Sequence, residues 1–322
     1  MLSREVGRSG VRVTELGFGS AAVGNLYRAV DDDTAAAALD AAWDAGFRYY
    51  DTAPHYGLGL AERRLGAALA GRPRDQLVVS TKVGRLLVSN PHPSGSDLPV
   101  GGYDVPDDLT RVFDLSADGV RRSLEASLDR LGLDRVDIVL VHDPDDELDT
   151  AITEAIPALV RLRDEGVVGA VGVGMNQWQA PLRVVRETDV DVVMLAGRWT
   201  IADRSGGPLL DACVARGVSV LAAAPYNSGL LAVDRPAPTA HFDYGDPPPE
   251  VLARVRRMAD AATAHHVSLP TLAVQFPLLH PATAAVVVGL RDPHEVAAAV
   301  QRYATPIAGS VWADFQEAGA QK

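Results

Sequence analysis

Residues 136–142 read Val-Asp-Ile-Val-Leu-Val-His. Apart from Asp137 the run stays apolar until the closing histidine. A strand with one wet face alternates apolar and polar residues. A strand covered on both faces is apolar throughout, as in a parallel sheet packed by helices. The same character recurs outward from this stretch. Short β-rich runs lie at Glu15–Gly19, Phe47–Asp51, Leu77–Lys82, Val136–His142, Val167–Gly174, Asp191–Leu195, Val218–Ala224 and Ala285–Gly289. Amphipathic segments separate them. Residues 31–46 open on three aspartates, which suit a helix N-terminus, and end on Gly46. In the next segment but one, Val120, Leu124, Leu128 and Leu131 recur at helical spacing. Further helices are predicted at 61–70, 149–165, 178–187, 207–216, 249–266 and 294–303. Eight strands alternating with helices predict an α/β fold, a (β/α)8 TIM barrel, as one domain over residues 1–322. Val11–Glu15, after the turn-like Arg8-Ser9-Gly10, reads as a short N-terminal β-hairpin. The 235–249 stretch, rich in proline, reads as a surface loop.

The chain has 322 residues, 47% of them hydrophobic, which is ample for a large core. Its formal net charge of −12, without any Lys/Arg-rich block, argues against nucleic acid and anionic membranes, where clustered cations are needed. The single cysteine, Cys213, sits at helical spacing and reads as a small buried side chain. The first ten residues are charged rather than apolar, and no run approaches the roughly 18 residues of a spanning helix. A cytoplasmic protein is expected. Metal binding is not: HExxH and Cys/His pairs at ligand spacing are absent, and His265-His266 point to different helix faces. There is no GxSxG elbow, and neither GFGSAAVG nor VGAVGVG completes a dinucleotide fingerprint.

In a barrel of this kind the strand C-terminal ends carry the active site. Polar residues there are Asp51, Lys82 and His142 after strands two to four, Asn176 after strand five, Asn227 and Ser228 after strand seven, and Gly289 before Arg291 after strand eight. Each has a plain reading alone: Lys82 can snorkel to solvent, His142 can be a hydrogen-bonded rim residue, and Asp51 can cap a turn. Together they point into one mouth. An Asp51–Lys82 pair there favours the ionised form of a nearby phenol, lowering it from about 10. Tyr56, on the loop after Asp51, is within reach, so it is expected to act as general acid or base, with His142 orienting a substrate oxygen.

The residues that carry these features also resemble the aldo-keto reductase superfamily over nearly the whole chain. The carriers are ELGFGSAAVG, GFRYYDTAPHYGLGLAERRLGAAL, VVSTKVGR, SLEASLDRLGLDRVDIVLVHD, GVVGAVGVGMNQ, APYNSGLLA and VVVGLRDPHEV. The resemblance implies a catalytic tetrad of Asp51, Tyr56, Lys82 and His142, and NAD(P)H bound extended across the C-terminal face. By motif position, Gly19, Ser20, Asp51, Asn176, Ser228, Gly229, Leu230, Gly289, Arg291 and Glu295 are the implied cofactor contacts. The family's nicotinamide-stacking tyrosine aligns with Ala223. Glu295 stands where NADP-preferring members often carry an arginine. Its carboxylate would repel a 2′-phosphate, so NAD is expected over NADP, although Arg291 could still reach that phosphate.

Within the superfamily the chain is most similar to the sugar 1-dehydrogenase branch, with pyridoxal 4-dehydrogenase a near relative. The expected substrate is thus a small carbonyl compound or sugar hemiacetal, an aldose oxidised at its anomeric hydroxyl to a lactone. His55, Arg198 and Trp199 are the expected substrate contacts. The long loop at 83–115 is expected to lie over the mouth as a lid or substrate wall. A general aldehyde or ketone reductase, and a cofactor-binding regulatory subunit, remain the alternatives.

Overall fold

A computed structural model describes residues 1–243 and 245–320. Eight parallel strands close into a barrel: β1 (Leu16–Gly19), β2 (Tyr49–Asp51), β3 (Val78–Val83), β4 (Ile138–His142), β5 (Ala170–Met175), β6 (Val192–Ala196), β7 (Ser219–Ala223) and β8 (Thr283–Gly289). Each pairs with its neighbours in sequence, and β8 closes onto β1. All eight strands read from the sequence are present, with ends shifted by up to three residues; the eighth begins two residues earlier than expected.

The pleat decides what faces inward. Alternate residues of a strand point to opposite faces. Tyr49, Ile138, Leu140, Met194 and Leu221 share the barrel interior, whereas Tyr50, Val79, Val139 and Val141 pack outward against the helical ring. The N-terminal hairpin pairs Ser3–Glu5 with Arg12–Thr14. Val6 and Val13, both fully buried, join the interior cluster and plug one end of the barrel.

The helices begin where capping residues allow. Asp31 accepts a hydrogen bond from the Thr34 backbone at the start of Asp32–Asp44, and Ser116 from Gly119 at the start of Ala117–Leu131. The 149–165 prediction corresponds to a helical stretch with a π turn at Ala151–Ala155, just before Pro157, whose ring nitrogen has no hydrogen to donate. A buried helix, Leu269–Gln275, was not anticipated. Six of its seven residues are buried, so it shows no amphipathic period, although Ser268 caps it.

The 83–115 segment, expected as a long loop over the mouth, carries secondary structure of its own. Arg85–Ser89 and Leu109–Phe113 form an antiparallel ribbon, with a helical turn at Leu98–Gly101. Its tip is pinned to the loop after β1: Tyr27 donates to the Gly102 carbonyl at 2.8 Å, and Asp104 to the Asn25 carbonyl at 2.9 Å. No helix of the described residues is long and apolar enough to cross a membrane.

Candidate active site

The inward positions at the C-terminal ends of β2, β3 and β4 are Asp51, Lys82 and His142. The period of two puts them above Tyr49, Ser80 and Leu140 respectively, and all three are buried. The Lys82 ammonium donates to both Asp51 oxygens, at 2.9 and 2.8 Å, and to the Thr52 carbonyl at 2.9 Å. Its three donors are thereby used. Ser80 donates to Asp51 Oδ1 at 2.7 Å and meets the Tyr49 hydroxyl at 3.0 Å. A buried ion pair is tolerable only when its remaining lone pairs are satisfied in this way. On the next strand Gly174 lies opposite His142, and a methyl group there would sit 3.6 Å from Lys82 Cε.

Tyr56 comes from the loop after β2. The Lys82 nitrogen lies 4.7 Å from its ring centroid. The His142 ring stands edge-on to it at 5.8 Å, with an interplanar angle of 87°. His55 stacks edge-on to His142 at 5.5 Å. Burial lowers both imidazoles, His55 to about 3 and His142 well below its ordinary value, with cationic neighbours acting in the same direction. Both rings are therefore neutral at neutral pH. The structure thus brings Asp51, Tyr56, Lys82, His142 and His55 into one cluster.

It also brings in residues that the sequence reading passed over. Tyr103, from the ribbon, lies 5.4 Å edge-on to His55 and 6.1 Å from the Tyr56 ring. Arg111 pairs with Asp97 at 2.5 Å and donates to the His55 carbonyl at 2.9 Å. Arg85 pairs with Asp143 at 3.1 Å, immediately beside His142. Arg85 and Asp143 directly follow the motifs VVSTKVG and VDIVLVH, a signal that was available. Tyr103 and Arg111 carried none, because the fold of their segment was not readable.

Arg198 and Trp199 have other partners. Arg198 donates to the Asn176 carbonyl at 2.8 Å and pairs with Asp243 at 2.7 Å and Asp203 at 3.4 Å, which ties three loops together. Trp199 packs on Phe276 at 5.5 Å and edge-on to His280 at 5.2 Å, in the layer of helices outside the barrel. Neither joins the Tyr56 cluster: their contacts are with these other loops and helices.

The expected cofactor contacts lie around the same rim. Ser20, just after β1, is fully buried, and its hydroxyl has no hydrogen-bond partner among the described residues. Asn176 is exposed after β5. After β7 the backbone turns through Asn227, Ser228 and Gly229 at φ of 44°, 55° and 101°. The left-handed region costs a non-glycine residue about 1 kcal/mol or more. Asn227 holds the turn in place, accepting from Thr200 at 2.6 Å and donating to the Gly197 carbonyl at 2.9 Å. Beyond β8, the space above Gly289 is open. Glu295 accepts from the Arg291 backbone at 2.9 Å, and its other oxygen lies 3.5 Å from Arg291 Nε.

The aldo/keto reductase family model matches residues 15–320. The chain belongs to the aldo/keto reductase family. It is therefore an oxidoreductase acting on CH–OH and C=O groups. It is 46% identical over 314 residues to a D-threo-aldose 1-dehydrogenase of a Pseudomonas species, covering 96% of this chain and 95% of the relative. Identity to a pyridoxal 4-dehydrogenase of Microbacterium luteolum is 36% over 334 residues, covering 98% and 97%. Among solved structures, an aldo-keto reductase from Bacillus halodurans in its holo form superposes with a TM-score of 0.78 at 27% identity, over 99% of this chain and 96% of that one. Aldo/keto reductases use NAD(P)H, and this rim fits such a cofactor. It offers an unpartnered buried hydroxyl at Ser20, an overdetermined strained turn at 227–229, and open space with a guanidinium beside it at Gly289 and Arg291.

Proposed function

We propose that this aldo/keto reductase is an aldose 1-dehydrogenase, oxidising the anomeric hydroxyl of a free sugar to a lactone. The observation that carries the reading is the buried Asp51–Lys82 pair set against the Tyr56 ring, with neutral His142 edge-on beside it. The 46% identity to an aldose dehydrogenase supports a sugar as substrate. A bound nicotinamide cofactor in its oxidised form would supply the acceptor for the hydride that leaves the anomeric carbon.

The rest of the step belongs to the chain. Tyr56 takes the proton from the anomeric hydroxyl as the carbonyl forms. The Lys82 ammonium favours the phenolate needed for that transfer. Asp51 holds the ammonium in place by two hydrogen bonds, so the cation is not left buried alone. His142, kept neutral by burial, hydrogen-bonds the reacting oxygen and fixes its approach to Tyr56. Gly19, Ser20 and Asp51 would hold the nicotinamide end of the cofactor, and Asn176 its carboxamide. Ser228, Gly229 and Leu230 would hold the pyrophosphate, and Gly289 and Arg291 the adenosine end. Glu295 already occupies the Arg291 amide and lies against its guanidinium. A 2′-phosphate would meet a carboxylate there, which favours NAD over NADP.

One screen tests this reading: NAD⁺ and NADP⁺ reduction with L-fucose, L-galactose, D-threo-aldoses and pyridoxal, alongside NADPH consumption with nitrobenzaldehyde. Aldose-dependent NADH formation is expected, with the higher kcat/KM for NAD⁺. Pyridoxal as the better substrate would move the assignment to the second relative. Cofactor binding with no turnover in either direction would indicate a regulatory role. In the same assay Tyr56→Phe should lower kcat by about 10³-fold or more, while cofactor affinity stays within about twofold. A wild-type kcat in that variant would refute the role given to Tyr56.

A further inference from the structure

Beside the Tyr56 cluster stands a second polar wall. Arg85, the first residue of the ribbon, reaches across to Asp143, the residue after His142, at 3.1 Å. Both are mostly buried, with side chains 16% and 19% exposed. The same Asp143 oxygen lies 3.5 Å from His142 Nε2. Asp143 sits at φ 43°, a conformation that non-glycine residues seldom adopt. Its backbone N–H is held by the Gly174 carbonyl at 2.9 Å. Strained residues held by their surroundings cluster at functional sites. The Arg85 guanidinium is braced from outside by the Phe113 ring at 4.9 Å.

Three nitrogens along this wall are buried without a hydrogen-bond partner among the described residues: Arg85 Nε, His55 Nδ1 and His142 Nδ1. Buried polar atoms ordinarily have partners, and these three belong to residues that touch one another, His55 to His142 and Arg85 through Asp143 to His142, so a ligand entering there would have donors and acceptors to meet. The wall mixes a donor-only guanidinium, an acceptor-only carboxylate and two neutral imidazoles that can do either. Hydroxyl groups, each donor and acceptor at once, match that mixture. The Arg85–Asp143 pair has no net charge to attract a phosphorylated or acidic ligand.

We propose that Arg85 and Asp143 are specificity-determining residues that hydrogen-bond a hydroxyl of the sugar other than the one oxidised. This deepens the aldose dehydrogenase reading and rests on it. A site built to pair a substrate hydroxyl rejects the analogue lacking it by as much as ~10⁴-fold, because the buried groups are then left unpaired. A simple hydrophobic aldehyde gains nothing from the wall.

The test compares kcat/KM for the best aldose with its set of mono-deoxy derivatives, in the wild type, Asp143→Asn and Arg85→Met. The wild type should discriminate against one deoxy derivative by about 100-fold or more. Each variant should lose about 30-fold or more on the parent sugar and less than about threefold on that derivative, which erases the discrimination. Equal losses on every sugar would overturn the inference and leave the aldose reading standing. A wild type that oxidises no aldose but reduces nitrobenzaldehyde would overturn both. If either variant fails to fold, Arg85→Gln, in a ribbon outside the barrel, carries the same comparison.

Discussion

His55 and His142 face each other edge-on, and burial keeps both uncharged. A histidine whose folded pKa lies below its ordinary 6.5 binds its proton more readily when unfolded. The stability it contributes is complete above about 6.5 and is lost as pH falls towards 3. Asp143 acts in the opposite sense. Desolvation raises it to about 6 against the pull of Arg85, so the folded state is favoured below about 4, and that preference is lost as pH rises through 6. The melting temperature of the wild type should therefore fall on acidification below 6.5 more steeply than that of His55→Gln. Parallel curves would show that His55 is not the group responsible. Asp51, Lys82 and His142 could be read from the sequence because each ends an apolar run whose period fixes its direction. The fate of Arg198 could not, since nothing local tells that a guanidinium will be consumed by Asp203 and Asp243 from other loops.

At the level of elements the ribbon matters most. Arg111 is its inner clasp: the guanidinium holds Asp97, only 4% exposed, and also the carbonyl of His55. Removing one partner of a buried ion pair leaves the other uncompensated, at a cost of about 3–5 kcal/mol. That cost is local, because the ribbon is a separate two-stranded sheet outside the barrel. Arg111→Met should raise amide exchange across residues 85–113 and raise KM for the proposed aldose substrate about tenfold, with cofactor affinity unchanged. Protection equal to the wild type would show that Arg111 is not what holds the ribbon. The ribbon was hidden in the sequence because its strands show no buried-exposed alternation: Val88, Val112 and Phe113 are apolar and exposed. Without a wet side and a dry side the period of two has nothing to mark.

The whole molecule depends on closure. β5 and β6 meet at Gly172 and Val192, where the backbones approach so closely that a Cβ on Gly172 would collide with the Val192 carbonyl oxygen. Gly172→Ala must push the two strands apart or strain both. A loss of about 2–3 kcal/mol is expected from the shift in urea midpoint, as for overpacked cores. An unchanged midpoint would mean that the barrel absorbs the methyl group freely. The architecture itself was readable because eight strands buried on both faces leave eight apolar runs, a signal repeated around the barrel. The helix at Leu269–Gln275 escaped for the same reason the strands were found: burial on all sides erases the helical period while preserving apolarity.

The ribbon leaves the barrel after β3 and returns to it at nearly the same point, since the Asp114 amide donates to the Gly84 carbonyl at 3.0 Å. The excursion between these two residues is thus a cassette with adjoining ends. Its length and content can vary without moving β3 or the helix that follows. Lys82 lies on the barrel side of that junction, and Arg85, Tyr103 and Arg111 on the cassette side. A lineage could therefore exchange Arg85, Tyr103 and Arg111 together while inheriting Asp51, Lys82 and His142 unchanged.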